Sequence, residues 1–230
     1  MKQKVSDYIA DRLAQEGICQ VFTVTGGGAM HLNDSLGHHP GLSCLYHHHE
    51  QAAAMAAEAY ARVDNRMAAV CVTSGPGATN AITGALCAWM DSIPMLVLSG
   101  QVRYDTTVRH SGLKIRTMGV QEYDITPSVE PMTKYAVMVT DPLTIRYHLE
   151  RAIYLAKTGR PGPCWLDLPL NVQSAIIETE DLRAYDPKED EKELPAPVTE
   201  ETVNKILEKL KQAVRPVIFA GHGIRLAGAY

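Results

Sequence analysis

Apolar residues along the chain alternate between short continuous runs and longer segments in which they recur at helical spacing. In residues 3–16, Val5, Ile9 and Leu13 recur in this way and predict an amphipathic helix that ends at Gly17. The same pattern predicts four further helices, over residues 50–62, 78–90, 141–157 and 199–213. The short apolar runs predict six strands, over residues 20–25, 42–47, 67–73, 95–99, 162–168 and 215–221.

The alternation of strands with helices predicts an α/β fold in which a doubly wound parallel sheet carries helices on both faces. The run over residues 67–73 is apolar throughout, as expected of a strand that is buried on both faces. An acidic, proline-containing stretch follows and has the composition of a linker. We therefore expect a first domain over residues 1–175, a linker over 176–198, and the truncated start of a second α/β domain over 199–230.

The composition excludes several classes of partner. The formal net charge is -4 and the basic residues are scattered, which argues against a nucleic acid or a membrane surface. No apolar run reaches the ~18 residues needed to cross a bilayer, and the first residues lead directly into a helix, which is not typical of a signal peptide. The five cysteines are widely spaced without a C-x-x-C pair, as in a reducing compartment. We expect a cytoplasmic protein.

A run of three histidines, residues 47–49, precedes Glu50 and raises the question of a metal site. A zinc site needs three or four converging ligands, whereas adjacent residues of a strand point to opposite faces. Ala53 also occupies the place of the second histidine in an H-E-x-x-H motif. We therefore predict no metal ligands here and interpret the histidines as polar residues at an edge of the sheet.

Two glycine-containing turns follow predicted strands. The stretch over residues 74–80 opens a helix, where backbone N–H groups favour an anion or a polar ring atom. It lacks the G-K-[ST] of a P-loop and the third glycine of a dinucleotide fingerprint, so a simple tight turn is an equal alternative. The turn over residues 26–28 would allow the close approach of a ligand or a neighbouring chain.

Glu50 stands in the first turn of a predicted helix, where a carboxylate is also expected simply because it meets the helix dipole favourably. Ala53, Ala54 and Ala57 share its helical face and would let that face pack flush against another helix or a subunit. A carboxyl group enclosed in this way tends to hold a proton, which suits proton chemistry. Because ligands bind at the carboxyl ends of parallel strands, we expect Glu50 and both glycine turns at one edge of the sheet.

Several long motifs follow one another in the sequence and together are more specific than any single glycine pattern. They are Gly26-Gly27, His49-Glu50-Gln51-Ala52-Ala53-Ala54, Tyr60-Ala61-Arg62, Thr73-Ser74-Gly75-Pro76-Gly77-Ala78-Thr79-Asn80, Met90-Asp91-Ser92-Ile93-Pro94 and Ser99-Gly100-Gln101-Val102. In this order they resemble the thiamine-diphosphate-dependent enzymes, and most closely the group of the acetolactate synthase large subunit. The resemblance is dense from Val5 to about Gln173, which would form the pyrimidine-binding domain, and residues 199–230 resemble the start of the central domain.

The resemblance implies a role for Glu50 in activating the cofactor. Its carboxylate would hydrogen-bond a ring nitrogen of the aminopyrimidine and hold a proton there, which prepares the thiazolium carbon to attack a 2-keto acid. Gln121, in the polar and irregular stretch over residues 101–130, would reach towards cofactor or substrate, so that Glu50 and Gln121 are the implied catalytic residues. The residues implied to surround the pyrimidine, besides Glu50, are Val24, Gly26, Gly27, Pro76 and Asn80.

The resemblance also implies cofactors and an assembly. The cofactors are thiamine diphosphate and Mg²⁺, whose ligands lie in this family on a C-terminal domain with a G-D-G…N motif that the sequence does not contain. FAD is left open, because most of the domain that binds it is missing from these residues. The implied assembly is a homodimer or homotetramer whose partner subunit closes over the site at the alanines. The 230 residues alone are therefore expected to be inactive.

Departures from the synthase pattern leave the substrate open. Thr25 stands where many relatives have Pro, Val120 where synthases typically have Phe, and residues 168–173 read L-P-L-N-V-Q in place of I-P-K-D-V-Q. The alternatives to an acetolactate synthase of branched-chain amino acid biosynthesis are a lyase for another 2-keto acid, in sugar or cell-surface metabolism, and a non-catalytic α/β binding module. A dinucleotide oxidoreductase is disfavoured, because no G-x-G-x-x-G follows the first strand.

Overall fold

The computed structural model describes residues 1–193 and 196–229, which fall into two compact units, Met1–Pro187 and Lys188–Tyr230. The first unit contains a six-stranded parallel sheet with helices on both faces, which confirms the predicted fold class. In chain order the strands are β1 (Lys2–Lys4), β2 (Gln20–Thr23), β3 (Ser43–Tyr46), β4 (Ala68–Val72), β5 (Met95–Gln101), β6 (Tyr135–Met138), β7 (Pro163–Pro169) and β8 (Ile176–Glu178).

The sheet has the strand order β3-β2-β4-β5-β7-β6, and every neighbouring pair is parallel. Strands β1 and β8 form a separate antiparallel pair. Because β3 lies on one side of β2 and β4 on the other, the chain changes its direction of winding between β3 and β4. In open α/β sheets such a switch point creates a crevice at the carboxyl ends of the strands, where ligands bind.

The helices are α1 (Val5–Gln15), α2 (Met30–His38), α3 (Glu50–Asp64), α4 (Pro76–Met90), α5 (Val108–Ser111), α6 (Thr126–Val129), α7 (Ile145–Lys157), α8 (Leu170–Gln173), α9 (Glu200–Gln212) and α10 (Gly223–Leu226). The longer predicted helices agree with α1, α3, α4, α7 and α9. The sequence analysis did not predict helix α2 or strand β6. The helical spacing of α2 is obscured by the polar residues and the glycine within it, and β6 has only four residues.

Two hydrophobic clusters lie on opposite faces of the sheet. Helices α1, α2 and α7 cover one face with large aliphatic side chains. Helices α3 and α4 cover the other face largely with alanines. These two helices approach so closely that a Cβ atom at Gly84 would overlap Ala54 and lie 2.8 Å from the backbone nitrogen of Met55. The close packing of α3 on α4 therefore requires small side chains at the contact.

A polar network is buried where β5 meets β7. The Trp165 indole N–H donates to the Ser99 hydroxyl (2.8 Å), which donates to the carboxyl group of Asp167 (2.6 Å). The side-chain amide of Gln101 donates to the other oxygen of Asp167 (3.1 Å) and to the Tyr123 carbonyl (2.8 Å). Burial raises the pKa of Asp167 to about 7, although the hydrogen bonds from Ser99 and Gln101 act in the opposite direction.

In the second unit, α9 is amphipathic and begins after Thr199, whose hydroxyl accepts a hydrogen bond from the Thr202 N–H. The strand predicted over residues 215–221 is wrong, because this stretch is not assigned to any strand. Its apolar side chains are exposed, and Phe219 is 99% accessible. A strand needs a neighbour for its backbone N–H and C=O groups, and the described residues of this unit offer none.

Adding a side chain at Gly84 tests the close packing of α3 on α4. We expect Gly84→Ala to lower the free energy of unfolding by about 1–3 kcal/mol, because overpacking outweighs the gain in helix propensity. Urea unfolding measures this change. Thr83→Ala is the matched control, since Thr83 is exposed on the same helix, and it should change stability by less than about 0.5 kcal/mol. An unchanged midpoint for Gly84→Ala would contradict the packing described here.

Asp167 predicts a pH dependence of stability. Its pKa is about 7 in the folded chain against 3.8 ordinarily, so its stabilising contribution is fully present below pH 3.8 and is lost as the pH rises to about 7. In that window the free energy of unfolding should fall by up to about 1.4 kcal/mol per pH unit on account of this group. Asp167→Asn does not titrate and should lack that part of the slope in urea unfolding at pH 5 to 8. Equal slopes in both proteins would contradict the assignment.

Candidate functional site

Three turns meet at the carboxyl edge of the sheet around the switch point. The turn over residues 26–28 follows β2, Glu50 follows β3, and the turn over residues 74–77 follows β4. Since β2 lies between β3 and β4, these turns are neighbours in space. The structure therefore brings together the segments that the sequence placed at one edge.

The turn after β2 lies directly on the end of β4. The Gly28 N–H donates to the Thr73 hydroxyl (3.0 Å). A Cβ atom at Gly26 would lie 2.5 Å from that of Thr73, and one at Gly28 would lie 2.7 Å from the Ser74 hydroxyl oxygen. Glycine is thus required at both positions by the close approach of the two turns. Gly27, in contrast, faces open space, so its backbone is accessible to a ligand.

Two further residues hold this turn in place, and the sequence patterns did not single them out for it. Gln173 is fully buried, and its side-chain amide donates to the carbonyl groups of Gly28 (2.7 Å) and Leu168 (2.6 Å). Gly100 lies directly beneath, where a Cβ atom would overlap the Gly28 carbonyl. Gly100 lies near the end of β5, and Gln173 follows β7 at this same edge of the sheet. That position is the one sequence feature that could have indicated their role.

Glu50 begins α3 and faces α4. The ring of His49 caps the helix by accepting the Gln51 N–H (3.1 Å). One carboxylate oxygen of Glu50, Oε2, accepts a hydrogen bond from the Asn80 side-chain amide (2.9 Å). Across residues 1–193 and 196–229, the other oxygen, Oε1, has no hydrogen-bond partner. Oε1 can therefore accept a hydrogen bond from an N–H group of a ligand.

The absence of a side chain at Gly77 keeps the Glu50 carboxylate accessible. A Cβ atom at Gly77 would lie 3.3 Å from Oε1 and 2.7 Å from the Thr73 methyl group. Glu50 itself is partly exposed. The N-termini of α3 and α4 both lie at this edge, and their backbone dipoles favour a negative charge or an acceptor atom there. A partly exposed hydrogen-bond acceptor therefore lies between the starts of α3 and α4, at a position formed by Glu50, Gly77 and Asn80 that we call the notch.

The alanines beside Glu50 are buried within the chain. Ala53, Ala54 and Ala57 have no accessible surface and pack with α4 and the sheet. Of the two partners expected for this face, a helix or a subunit, the structure shows the helix. The chain's own α4 thus covers these three alanines, and the closure of a partner subunit over the site stays a prediction.

The long segment after β5 returns to the same edge. Gln121 has a left-handed backbone (φ +57°), and its carbonyl oxygen lies against Gly75, where no Cβ atom could fit. The side chains of Gln121 and Val120 are exposed. Of the remaining predicted residues, Val24 comes directly after β2 and is partly buried, while Pro76 is the exposed first residue of α4.

The histidines before Glu50 make backbone contacts. The ring of His47 lies 3.0 Å from the Leu45 carbonyl, and that of His49 caps α3. The described part of the chain contains no group of three or more His, Cys, Asp or Glu side chains that could hold a metal ion. Among the same residues, no helix combines the length and the apolar character that crossing a membrane requires.

Comparison with known proteins gives a family for this geometry. Residues 3–122 match the family described as thiamine pyrophosphate enzyme, N-terminal TPP binding domain. The acetolactate synthase large subunit of Lactococcus lactis subsp. lactis (strain IL1403) is 36% identical over 225 residues, which are 97% of this chain and 37% of that protein. Acetolactate synthase isozyme 3 large subunit of Escherichia coli (strain K12) is 33% identical over 232 residues, or 98% and 38%.

A plant protein is similar over the same range. Acetolactate synthase 1, chloroplastic, of Oryza sativa subsp. japonica is 31% identical over 234 residues, covering 98% of this chain and 34% of that protein. The chain thus spans little more than a third of the length of these curated relatives. The family match covers more than half of the chain and includes β2, β3, β4 and the turns that follow them. The chain therefore belongs to the thiamine pyrophosphate enzymes, of which it carries the N-terminal TPP binding domain.

Proposed function

We propose that this chain forms the pyrimidine-binding part of a thiamine-diphosphate-dependent enzyme that acts on a 2-keto acid, and that Glu50 and Gln121 are its catalytic residues here. One observation carries the proposal. Glu50 presents one carboxylate oxygen, beside Gly77, that has no partner in the described chain, while its other oxygen accepts a hydrogen bond from Asn80. A nitrogen of a planar ring that carries a proton is the ligand group that suits such an acceptor.

The surrounding residues fit an aminopyrimidine ring. Gly26 and Gly27 bring a backbone without side chains to the edge of the notch. Val24 offers an apolar side chain for a ring face, and Pro76 begins the helix that carries Asn80. We propose these residues as the pyrimidine contacts, in addition to Glu50.

The proposed role of Glu50 is to hold a proton at the ring nitrogen. Asn80 donates to Oε2 and so orients the carboxylate, which leaves Oε1 directed to the ligand. A charged acceptor gives a stronger hydrogen bond than a neutral one, and the effect grows where water is excluded. When bound, thiamine diphosphate would supply a carbon nucleophile for a 2-keto acid and would accept the electron pair that CO₂ leaves behind when it departs.

The names of the relatives support an acetolactate synthase-like carboligase as the first candidate. A lyase for another 2-keto acid is the second candidate, and residues 170–171 favour it. The side chain of Asn171 accepts the Tyr104 N–H (2.7 Å), so it is engaged in holding the segment after β5. Leu170 and Asn171 carry no charge to offer a polar substrate.

We propose the remaining organisation on the same grounds. The diphosphate and Mg²⁺ would be held by a different domain, because the described residues contain no cluster of metal ligands. Residues 199–230 would begin the central domain, and the active enzyme would be a homodimer or homotetramer. The five free cysteines support a reducing compartment, which we propose to be the cytoplasm.

Hydrogen–deuterium exchange at C2 of the thiazolium ring tests the proposal. The experiment uses NMR on the complete protein that carries this chain, with thiamine diphosphate and Mg²⁺. Glu50→Gln keeps the size of the side chain and its contact with Asn80 but cannot share a proton with the ring. We expect exchange to slow roughly 100- to 10,000-fold, as for the loss of a positioned proton-transfer group.

Glu58→Gln is the matched control, because Glu58 lies on the same helix but pairs with Arg62. It should leave the exchange rate at C2 unchanged. Exchange in the wild-type protein that is no faster than in free cofactor would contradict the catalytic proposal and favour a non-catalytic binding module. An equal rate in wild type and Glu50→Gln would remove Glu50 from the mechanism.

A further inference from the structure

We infer that Glu122 is a positioning residue, whose carboxylate anchors the segment after β5 so that Gln121 is held over the turn after β4. The inference deepens the proposed function, on which it rests, by adding a residue that acts on the site through Gln121. It concerns the anchored segment, residues 108–121, which contains α5 and the exposed stretch that follows it.

The Glu122 carboxylate accepts three backbone N–H groups from two places in the anchored segment. Oε1 accepts the Val108 N–H (2.6 Å) at the start of α5. Oε2 accepts the N–H groups of Met118 (2.8 Å) and Gly119 (2.9 Å). Hydrogen bonds to an ionised acceptor are about twice as strong as neutral ones. One side chain therefore joins the beginning of the segment to its end.

The end of the anchored segment is a turn with a strained residue. The Glu122 N–H donates to the Gly119 carbonyl (3.2 Å), which closes a four-residue turn. Gln121 is its third residue and has a φ of +57°. A positive φ at this position favours Gly or Asn, whereas Gln pays a steric cost. Such strain persists only where the surrounding contacts fix it, and it is common in binding and catalytic segments.

The strained turn lies on the helix start that carries part of the site. The Gln121 carbonyl oxygen occupies the space that a Cβ atom of Gly75 would need, and Gly75 itself has a φ of +58°. Gly75 immediately precedes α4, and α4 carries Asn80, which is the partner of Glu50. The position of the turn over residues 119–122 is therefore coupled to the start of α4, and the exposed Gln121 side chain is held near the notch.

The residues that follow Glu122 also have contacts that do not involve the anchored segment. Gln101 donates to the Tyr123 carbonyl (2.8 Å), and the Thr126 hydroxyl donates to the Asp124 carboxylate (2.7 Å). Loss of the Glu122 carboxylate should therefore loosen the anchored segment and leave the sheet and α6 in place. This separation distinguishes a positioning role from a general contribution to folding.

Glu122→Gln in the complete protein tests the inference, because the amide retains the size of the side chain but replaces one acceptor oxygen with a donor. The matched control is Asp105→Asn. Asp105 also follows β5, and its exposed carboxylate accepts hydrogen bonds from the neighbouring Arg103 side chain. Amide hydrogen exchange reports on residues 108–121, and steady-state kinetics with a 2-keto acid gives kcat and KM. The dissociation constant for thiamine diphosphate is measured alongside.

We expect exchange at residues 118–121 to accelerate at least about tenfold in Glu122→Gln, as for the loss of a charge-assisted bond. We expect kcat to fall about 10- to 100-fold, while the dissociation constant for thiamine diphosphate changes less than about threefold, because Glu50 and the glycine turns are untouched. Asp105→Asn should match the wild type in all three measurements. The double variant Gln121→Gly/Glu122→Gln should regain part of the protection without regaining kcat.

Unchanged exchange in Glu122→Gln would overturn the anchoring, and faster exchange with an unchanged kcat would overturn the positioning role. A wild-type protein that does not bind thiamine diphosphate would overturn the proposed function on which the positioning role rests, and the exchange comparison would still decide whether Glu122 anchors the segment.

Discussion

The close approach of the turn after β2 to the end of β4 is the constraint on which the site depends. Thr73 accepts the Gly28 N–H, and neither Gly26 nor Gly28 could carry a side chain at this distance. Gln173 fixes the turn from the buried side through the Gly28 carbonyl. The turn is thus held both from the end of β4 and from the buried side, a stiff arrangement suited to positioning a ligand at the carboxyl edge of the sheet.

Close packing of α3 on α4 adds the second element. Ala54 meets Gly84, and the short distance between the helices brings Glu50 within hydrogen-bond reach of Asn80. The two helix starts then present an oriented carboxylate at the switch point of the sheet. The same alanines that made Glu50 notable in the sequence act here as spacers within one chain.

The sequence predicted the fold class and the edge at which the turns meet, because strand periodicity and the order of strands and helices are local signals. It predicted the segment around Gln121 only as irregular, since the anchor of that segment is a single side chain, Glu122, that accepts from residues up to 14 positions away. The prediction of a strand over residues 215–221 was wrong for a different reason. Its apolar pattern is strong, but a strand also requires a partner, and local sequence does not contain one. The buried contacts of Gln173 could not be predicted from local sequence either, because its partners lie up to 145 positions away.

We propose that Glu50 Oε1 holds a proton on a ring nitrogen of the cofactor, and ¹⁵N NMR of bound thiamine diphosphate labelled in the aminopyrimidine ring tests this role most directly. The spectra of the complete protein and of its Glu50→Gln variant would be compared at one pH with Mg²⁺ present. We expect the ring nitrogen to have the chemical shift of a protonated pyrimidine in the wild-type protein and of an unprotonated one in the variant. The same chemical shift in both proteins would contradict it.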